Sequence, residues 1–311
     1  MLHLRPFVGR SVLRALFLAS ALLLAGGIVS LIVPRMAFAQ SAPAFTSDRL
    51  SVVVLGAGPD VIFIPGYASS REVWRAEAER LSATHRVHMV QLAGFAGEPW
   101  AHGDGPFVQP VIDELARYIG EAGLQDPAVI GHSMGGMSAL MLAQQYPALV
   151  GKVMSVDSLP FFSALFGPQV TVDTARPFAE QAAAGTLAAD DASFRAAQQQ
   201  GAAGYANDPV TQGAMVVWSM ASDRQALATA IKEVMLTDLR PGLADMTTPV
   251  WAVYAADANG GAPPAMADAM WRREYATLPG VTLIRVDDSR HFIMADQPER
   301  FSEIVDRFLA D

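Results

Sequence analysis

The stretch Gly131-His132-Ser133-Met134-Gly135 sets one hydroxyl between two glycines, where the apolar run Ala128 to Ile130 gives way to a helix-like segment. A serine at such a junction can serve as a nucleophile, because a sharp strand-to-helix turn holds its hydroxyl clear of the backbone. The glycines suit that turn, since close strand–helix packing leaves no room for a Cβ. The start of the following helix adds a donor: the backbone N–H of Met134 can face negative charge developing on a carbonyl oxygen. A glycine-rich corner that merely contains a serine would read the same over five residues. The elements around the turn must decide between the two.

Those elements alternate. Leu50 to Gly56 and Val61 to Gly66 read as strands joined by a Gly-Pro-Asp turn. Ser70 to His85 reads as a helix with Ser70 as its N-cap. The strand-like "RVHMVQLAG" and the helical "QPVIDELARYIGEAG" follow, then the strand "AVI", the Gly-Ser turn, a helix to about Tyr146 and the buried strand "GKVMSVDS". From about Leu159 to Ala244 the chain turns rich in Ala, Gln and Met. It shows no strand pattern there, and its best helix runs from about Pro209 to Thr237. Alternation then returns with the strand Pro249 to Ala255, a helix Pro264 to Ala276, the strand Val281 to Val286 and a last helix Pro298 to Leu309. This pattern predicts a mostly parallel central sheet with helices on both faces, interrupted by an all-helical insertion. Such an insertion is most simply a cap over the strand ends, where open α/β sheets bind ligands.

Three pieces of this chain, the elbow "GHSMGG", "FIPGYASS" and "DDSRHFIMADQPERF", are together similar to motifs of the α/β-hydrolase superfamily. The likeness spans nearly all of the chain after its N-terminal segment. It implies that Ser133 is the nucleophile and that His291 is the general base. It also implies that the backbone N–H of Tyr67 joins that of Met134 in binding the oxyanion, although Pro65-Gly66 stands where relatives usually have His-Gly. The acid should follow the strand after the cap, where Asp257 is the sole candidate and Ala255 replaces a common glycine. Asp157, which ends the strand "VMSVDS", is the alternative seat that some relatives use. Asp287 and Asp288 lie close to His291 in sequence and suit a turn or a brace. The cap residues Met215, Trp218 and Met220 fall close together on one helix, and suit cap-to-core packing or contact with an acyl group. The resemblance implies hydrolysis of a carboxylic ester or lactone through an acyl-enzyme, with no cofactor and no metal. Rival readings are carbon–carbon bond hydrolysis or perhydrolysis on the same triad, and a non-catalytic binding protein on this fold. Relatives with an aspartate nucleophile are excluded by Ser133.

Composition narrows the partners. With 51% hydrophobic and 17% charged residues over 311 positions, the chain is globular rather than disordered. Arg5, Arg10, Arg14 and Arg35 flank the apolar run Ala15 to Val33, and Ala37-Phe38-Ala39 precedes Gln40. This reads as a secretory signal over residues 1–39, with a retained membrane anchor as the alternative. Taking those four arginines from 22 basic residues, against 31 acidic ones, leaves a formal charge of −13. Such a surface repels nucleic acid. The absence of cysteine excludes disulfides, a thiol nucleophile and thiolate metal sites. His85 and His88 lack a third ligand for a metal, and "GAGPD" opens no helix and so is no dinucleotide fingerprint. The expected organisation is a signal (1–39), a first core segment (40–158), a helical cap (159–245) and a second core segment (246–311), acting on a small-molecule ester or lactone.

Overall fold

The computed structural model describes residues 45–311; the signal expected over residues 1–39 lies outside them. Seven strands form one sheet: β1 (Leu50–Gly56), β2 (Asp60–Ile64), β3 (Arg86–Leu92), β4 (Ala128–His132), β5 (Lys152–Val156), β6 (Val250–Ala256) and β7 (Thr282–Asp287). Their order is β1-β3-β2-β4-β5-β6-β7, and only β1 runs antiparallel, against β3. Inner strands such as β4 and β6 are buried along their whole length, which is why they appear in the sequence as unbroken apolar runs. The expected sheet is the observed one.

Parallel neighbours need crossovers, supplied first by α1 (Arg75–Leu81), α2 (Val108–Glu121) and α3 (Met134–Gln145). Between β5 and β6 lie four helices with no strand: α4 (Val172–Ala188), α5 (Asp191–Tyr205), α6 (Pro209–Ala221) and α7 (Arg224–Leu236). After β6 come α8 (Pro264–Glu274), the short α9 (Ile293–Asp296) and α10 (Pro298–Ala310). Alternate residues of each strand feed opposite cores. Ile62, Ile64, Val90 and Val129 meet Val111, Ile112, Leu115 and Leu140 of α2 and α3. Val61, Phe63, Met89 and Ile130 meet Trp74, Leu81 and the α10 stripe Phe301, Ile304, Val305 and Phe308. That stripe recurs at three- and four-residue intervals, as one buried helix face requires.

Two expected helices are divided. The segment Ser70 to His85 starts as a 3-10 turn, Arg71–Trp74, before α1, and the Arg71 N–H, which like any helix-start donor has no partner within the helix, donates to Gln91 Oε1 at 2.7 Å. The helix expected from Pro209 to Thr237 is α6 and α7, separated at Ser222-Asp223. Asp223 caps α7 by accepting from Ala226 N at 2.9 Å, while its own N–H donates to Gly94 O at 2.8 Å. A capping aspartate that also ties the chain to a core loop outweighs helix continuity. The insertion is pinched at its base by an antiparallel bridge between Phe161 and Asp238, and by Leu239 N to Pro160 O at 2.9 Å. No helix of the described residues is long and apolar enough to cross a membrane.

Candidate active site

β4 ends at His132 and α3 starts at Met134, so Ser133 alone makes the turn, at φ 56° and ψ −122°. This strained conformation costs a non-glycine residue about 1–3 kcal/mol and must be held by its surroundings. They do hold it. Ser133 N donates to Val156 O at 2.9 Å, and its carbonyl accepts from Gly136 N at 2.8 Å and Met137 N at 3.1 Å. A Cβ on Gly131 would strike Gly135 O, and one on Gly135 would strike Ile64 O of β2. The glycines therefore let β2, β4 and α3 close on one another. The Ser133 side chain caps no helix N–H, which leaves its hydroxyl free for other partners. The N–H groups of Tyr67, just past β2, and of Met134 find no acceptor among the described residues. Two unspent donors and the serine border the same cavity.

His291 lies in the turn between β7 and α9, on the wall of that cavity. Its Nδ1 meets Asp157 Oδ2 at 2.6 Å. Asp157 follows β5 at φ 44°, a second strained position, and its other oxygen accepts from Ala255 N at 2.9 Å. The carboxylate is thus aimed by the neighbouring strand. The turn beneath it is held by Tyr275, whose hydroxyl donates to Ser158 O at 2.7 Å and lies 3.0 Å from Ser155 Oγ. The His291 backbone is braced as well: His132 Nε2 donates to its carbonyl at 2.9 Å. Complete burial, reinforced by the nearby His291, pushes the His132 pKa well below the usual imidazole value, so this ring stays neutral. Its Nδ1 then carries a lone pair with no partner among the described residues.

The expectation that Asp257 pairs with His291 is corrected by this geometry. Asp257 does follow β6, yet both its oxygens are engaged elsewhere. Oδ1 accepts from Asn259 N at 2.8 Å and Oδ2 accepts from Arg290 Nε at 3.1 Å. The Asn259 N–H, with help from the Arg290 guanidinium, lowers its pKa below the ordinary carboxylate value. The residue immediately before the histidine therefore holds the carboxylate expected to serve that histidine. Asp157, the alternative seat, is the acid in contact with His291.

The cavity measures about 510 Å³ and is walled by the core and the insertion together. Met215 of α6 borders it; Trp218 and Met220 do not, and Met220 packs instead against the larger core. The sequence reading missed Phe162, Leu165, Ile231, Val234, Met270 and Trp271, which supply much of the apolar wall. Their spacing along the chain carries no signal, since they come from three separate segments. Tyr67 borders the cavity too, but its phenol donates to Leu227 O of α7 at 3.2 Å, and burial raises its pKa. The insertion also grips the histidine turn. Asp296 accepts from Asn207 N at 2.7 Å, Asp208 N at 3.1 Å and Arg290 N at 2.8 Å, while Phe292 N donates to Tyr205 O at 3.0 Å. Arg290 Nη1 adds a bond to Ala203 O.

Comparison with known proteins agrees with this architecture. The chain is 30% identical over 201 residues to a pimeloyl-[acyl-carrier protein] methyl ester esterase of Aliivibrio fischeri, covering 64% of this chain and 75% of that one. Among solved structures, it is similar to an enol-lactonase from Burkholderia xenovorans (TM-score 0.69, 15% identity, 84% of this chain and 96% of that one). It is also similar to a thermophilic esterase from Thermogutta terrifontis (TM-score 0.67, 20% identity, 84% and 93%). The sequence profile of the alpha/beta hydrolase family matches residues 61–304, and with the elbow, sheet order and helical insertion described above, the chain belongs to the α/β-hydrolase family and is a hydrolase of that fold.

Proposed function

We propose that this protein hydrolyses a carboxylic ester by acyl-enzyme chemistry, with Ser133, His291 and Asp157 as its triad. The observation that carries the reading is the 2.6 Å contact between Asp157 Oδ2 and His291 Nδ1, on the wall of the cavity that Ser133 borders. Asp157 fixes the tautomer with the proton on Nδ1, which leaves Nε2 as the basic nitrogen. As Ser133 Oγ attacks the ester carbonyl, Nε2 takes the hydroxyl proton, and the carbonyl oxygen gains charge between the N–H groups of Tyr67 and Met134. Collapse expels the alcohol, which leaves with the proton from His291. Water, activated by the same imidazole, then releases the acid and restores Ser133. Each group acts from a backbone position locked by its neighbours, so little reorganisation accompanies charge development.

The name of the Aliivibrio fischeri relative, a methyl ester esterase, supports esters over lactones as the first class to try. Purified protein offered p-nitrophenyl esters and a panel of lactones should turn over the esters with burst kinetics at high enzyme concentration. Lactone turnover with no ester turnover would sink the ester reading. The export reading is proposed on the arginine-flanked apolar run and the Ala-x-Ala site before Gln40. Intact-mass measurement on protein from the exporting cell should show a chain starting at or near Gln40; a full-length chain in the membrane fraction would establish the anchor instead.

A further inference from the structure

The chain between β5 and α4 forms a 3-10 turn, Phe162–Phe166, in which Ser163 and Ala164 are buried and Ser163 Oγ donates to Met235 O of α7 at 2.6 Å. That anchor fixes the turn so that its large side chains face the other way. Phe162 and Leu165 border the cavity. Phe166 stands beyond them, 6.4 Å ring to ring from Phe162, and Phe178 of α4 stands 6.1 Å from Phe166. Leu165, Phe166 and Phe178 are 46%, 57% and 59% exposed. Contiguous apolar side chains left open to water in this way mark a binding surface. This one does not stop at the surface: it continues inward through Phe162 to the Met137, Leu159, Ile231 and Val234 side chains around Ser133.

We propose that the row Phe162, Phe166 and Phe178 is the outer half of an acyl-chain site, so that the preferred substrates are esters of long, apolar carboxylic acids. The proposal rests on the reading of the site as an ester hydrolase. With the ester carbonyl at Ser133, the acyl chain runs along the cavity wall, leaves past Phe162 and lies across Phe166 and Phe178. A chain too long for the interior is then shielded on one side by aromatic rings instead of trailing into water. The hydrophobic gain for a wholly buried methylene is worth about fourfold in kcat/KM, and about half that effect in free energy, roughly twofold, when one side stays wet.

The test compares the full chain with the double variant Phe166→Ser, Phe178→Ser on p-nitrophenyl butyrate and p-nitrophenyl dodecanoate, below their aggregation concentrations. Both phenylalanines are exposed, so the fold should persist, which circular dichroism checks. The expected result is an unchanged kcat/KM on butyrate and a loss of about tenfold or more on dodecanoate. An unchanged dodecanoate-to-butyrate ratio, with Ser133 still labelled by a fluorophosphonate, overturns the aromatic row alone. If sedimentation velocity shows that the two substitutions dissociate a dimer while the ratio stays constant, the row is an interface between copies and the proposal is wrong. Wild-type protein that neither labels nor cleaves any ester overturns the hydrolase reading and this proposal with it.

Discussion

Ser133→Ala should reduce ester turnover by about 10³-fold or more and abolish labelling by a fluorophosphonate. The substitution deletes one oxygen that caps no helix N–H, and leaves intact the backbone bonds of Ser133 to Val156, Gly136 and Met137. The strained φ of 56° is inherited by the alanine, so the variant should fold with a stability close to that of the parent. A residue of rate should remain, because the Tyr67 and Met134 N–H groups still polarise a bound carbonyl. The measurement is kcat on one good ester beside a thermal melt. Wild-type turnover by a folded Ser133→Ala protein would remove the serine mechanism altogether.

Asp157→Asn is expected to cost up to about 10⁴-fold in kcat, with a much smaller effect on KM. An asparagine presents either an amide N–H₂ or a neutral oxygen to His291 Nδ1. The first selects the wrong tautomer, and the second cannot stabilise the imidazolium that forms during attack. Asp257→Asn should cost less than about tenfold, since that side chain reaches His291 only through Arg290, the neighbour whose guanidinium it holds. The two variants, measured on the same ester with folding checked by circular dichroism, give a ranking. The reverse order would return the acid to Asp257.

The contrast between these two aspartates shows where reading the sequence stops. Both end strands, both precede a turn, and both fit the order of a serine, an acid and a histidine in one known arrangement or another. What separates them is a pairing between Asp257 and Arg290, 33 residues apart, and another between Asp157 and the N–H of Ala255. Side-chain pairings across the sheet leave no periodicity. The elbow was legible because the close approach of Gly131 and Gly135 to their neighbours is a local demand on residue type. The strands were legible because burial on both faces forces apolar runs. The division of α6 from α7 was written in the sequence too, as Ser222-Asp223, a capping signal outweighed by the apolar pattern on either side. The cavity wall was not legible: Phe162, Ile231 and Met270 meet only after the insertion folds back over the sheet.

The shared grip of the α5–α6 junction and the histidine turn bears on how such enzymes could be rebuilt. Asp296 binds backbone N–H groups of Asn207 and Asp208 on one side and Arg290 on the other, so one carboxylate belongs to two modules at once. Grafting α4 to α7 from a relative would bring a new specificity wall and, with it, a junction shaped for a different histidine turn. Unless the segment from Asp288 to Asp296 travelled with the graft, the transplanted insertion would sit over a histidine turn whose supports had been withdrawn. In this protein the insertion is not a portable part; the unit of exchange is the insertion together with the turn that carries His291.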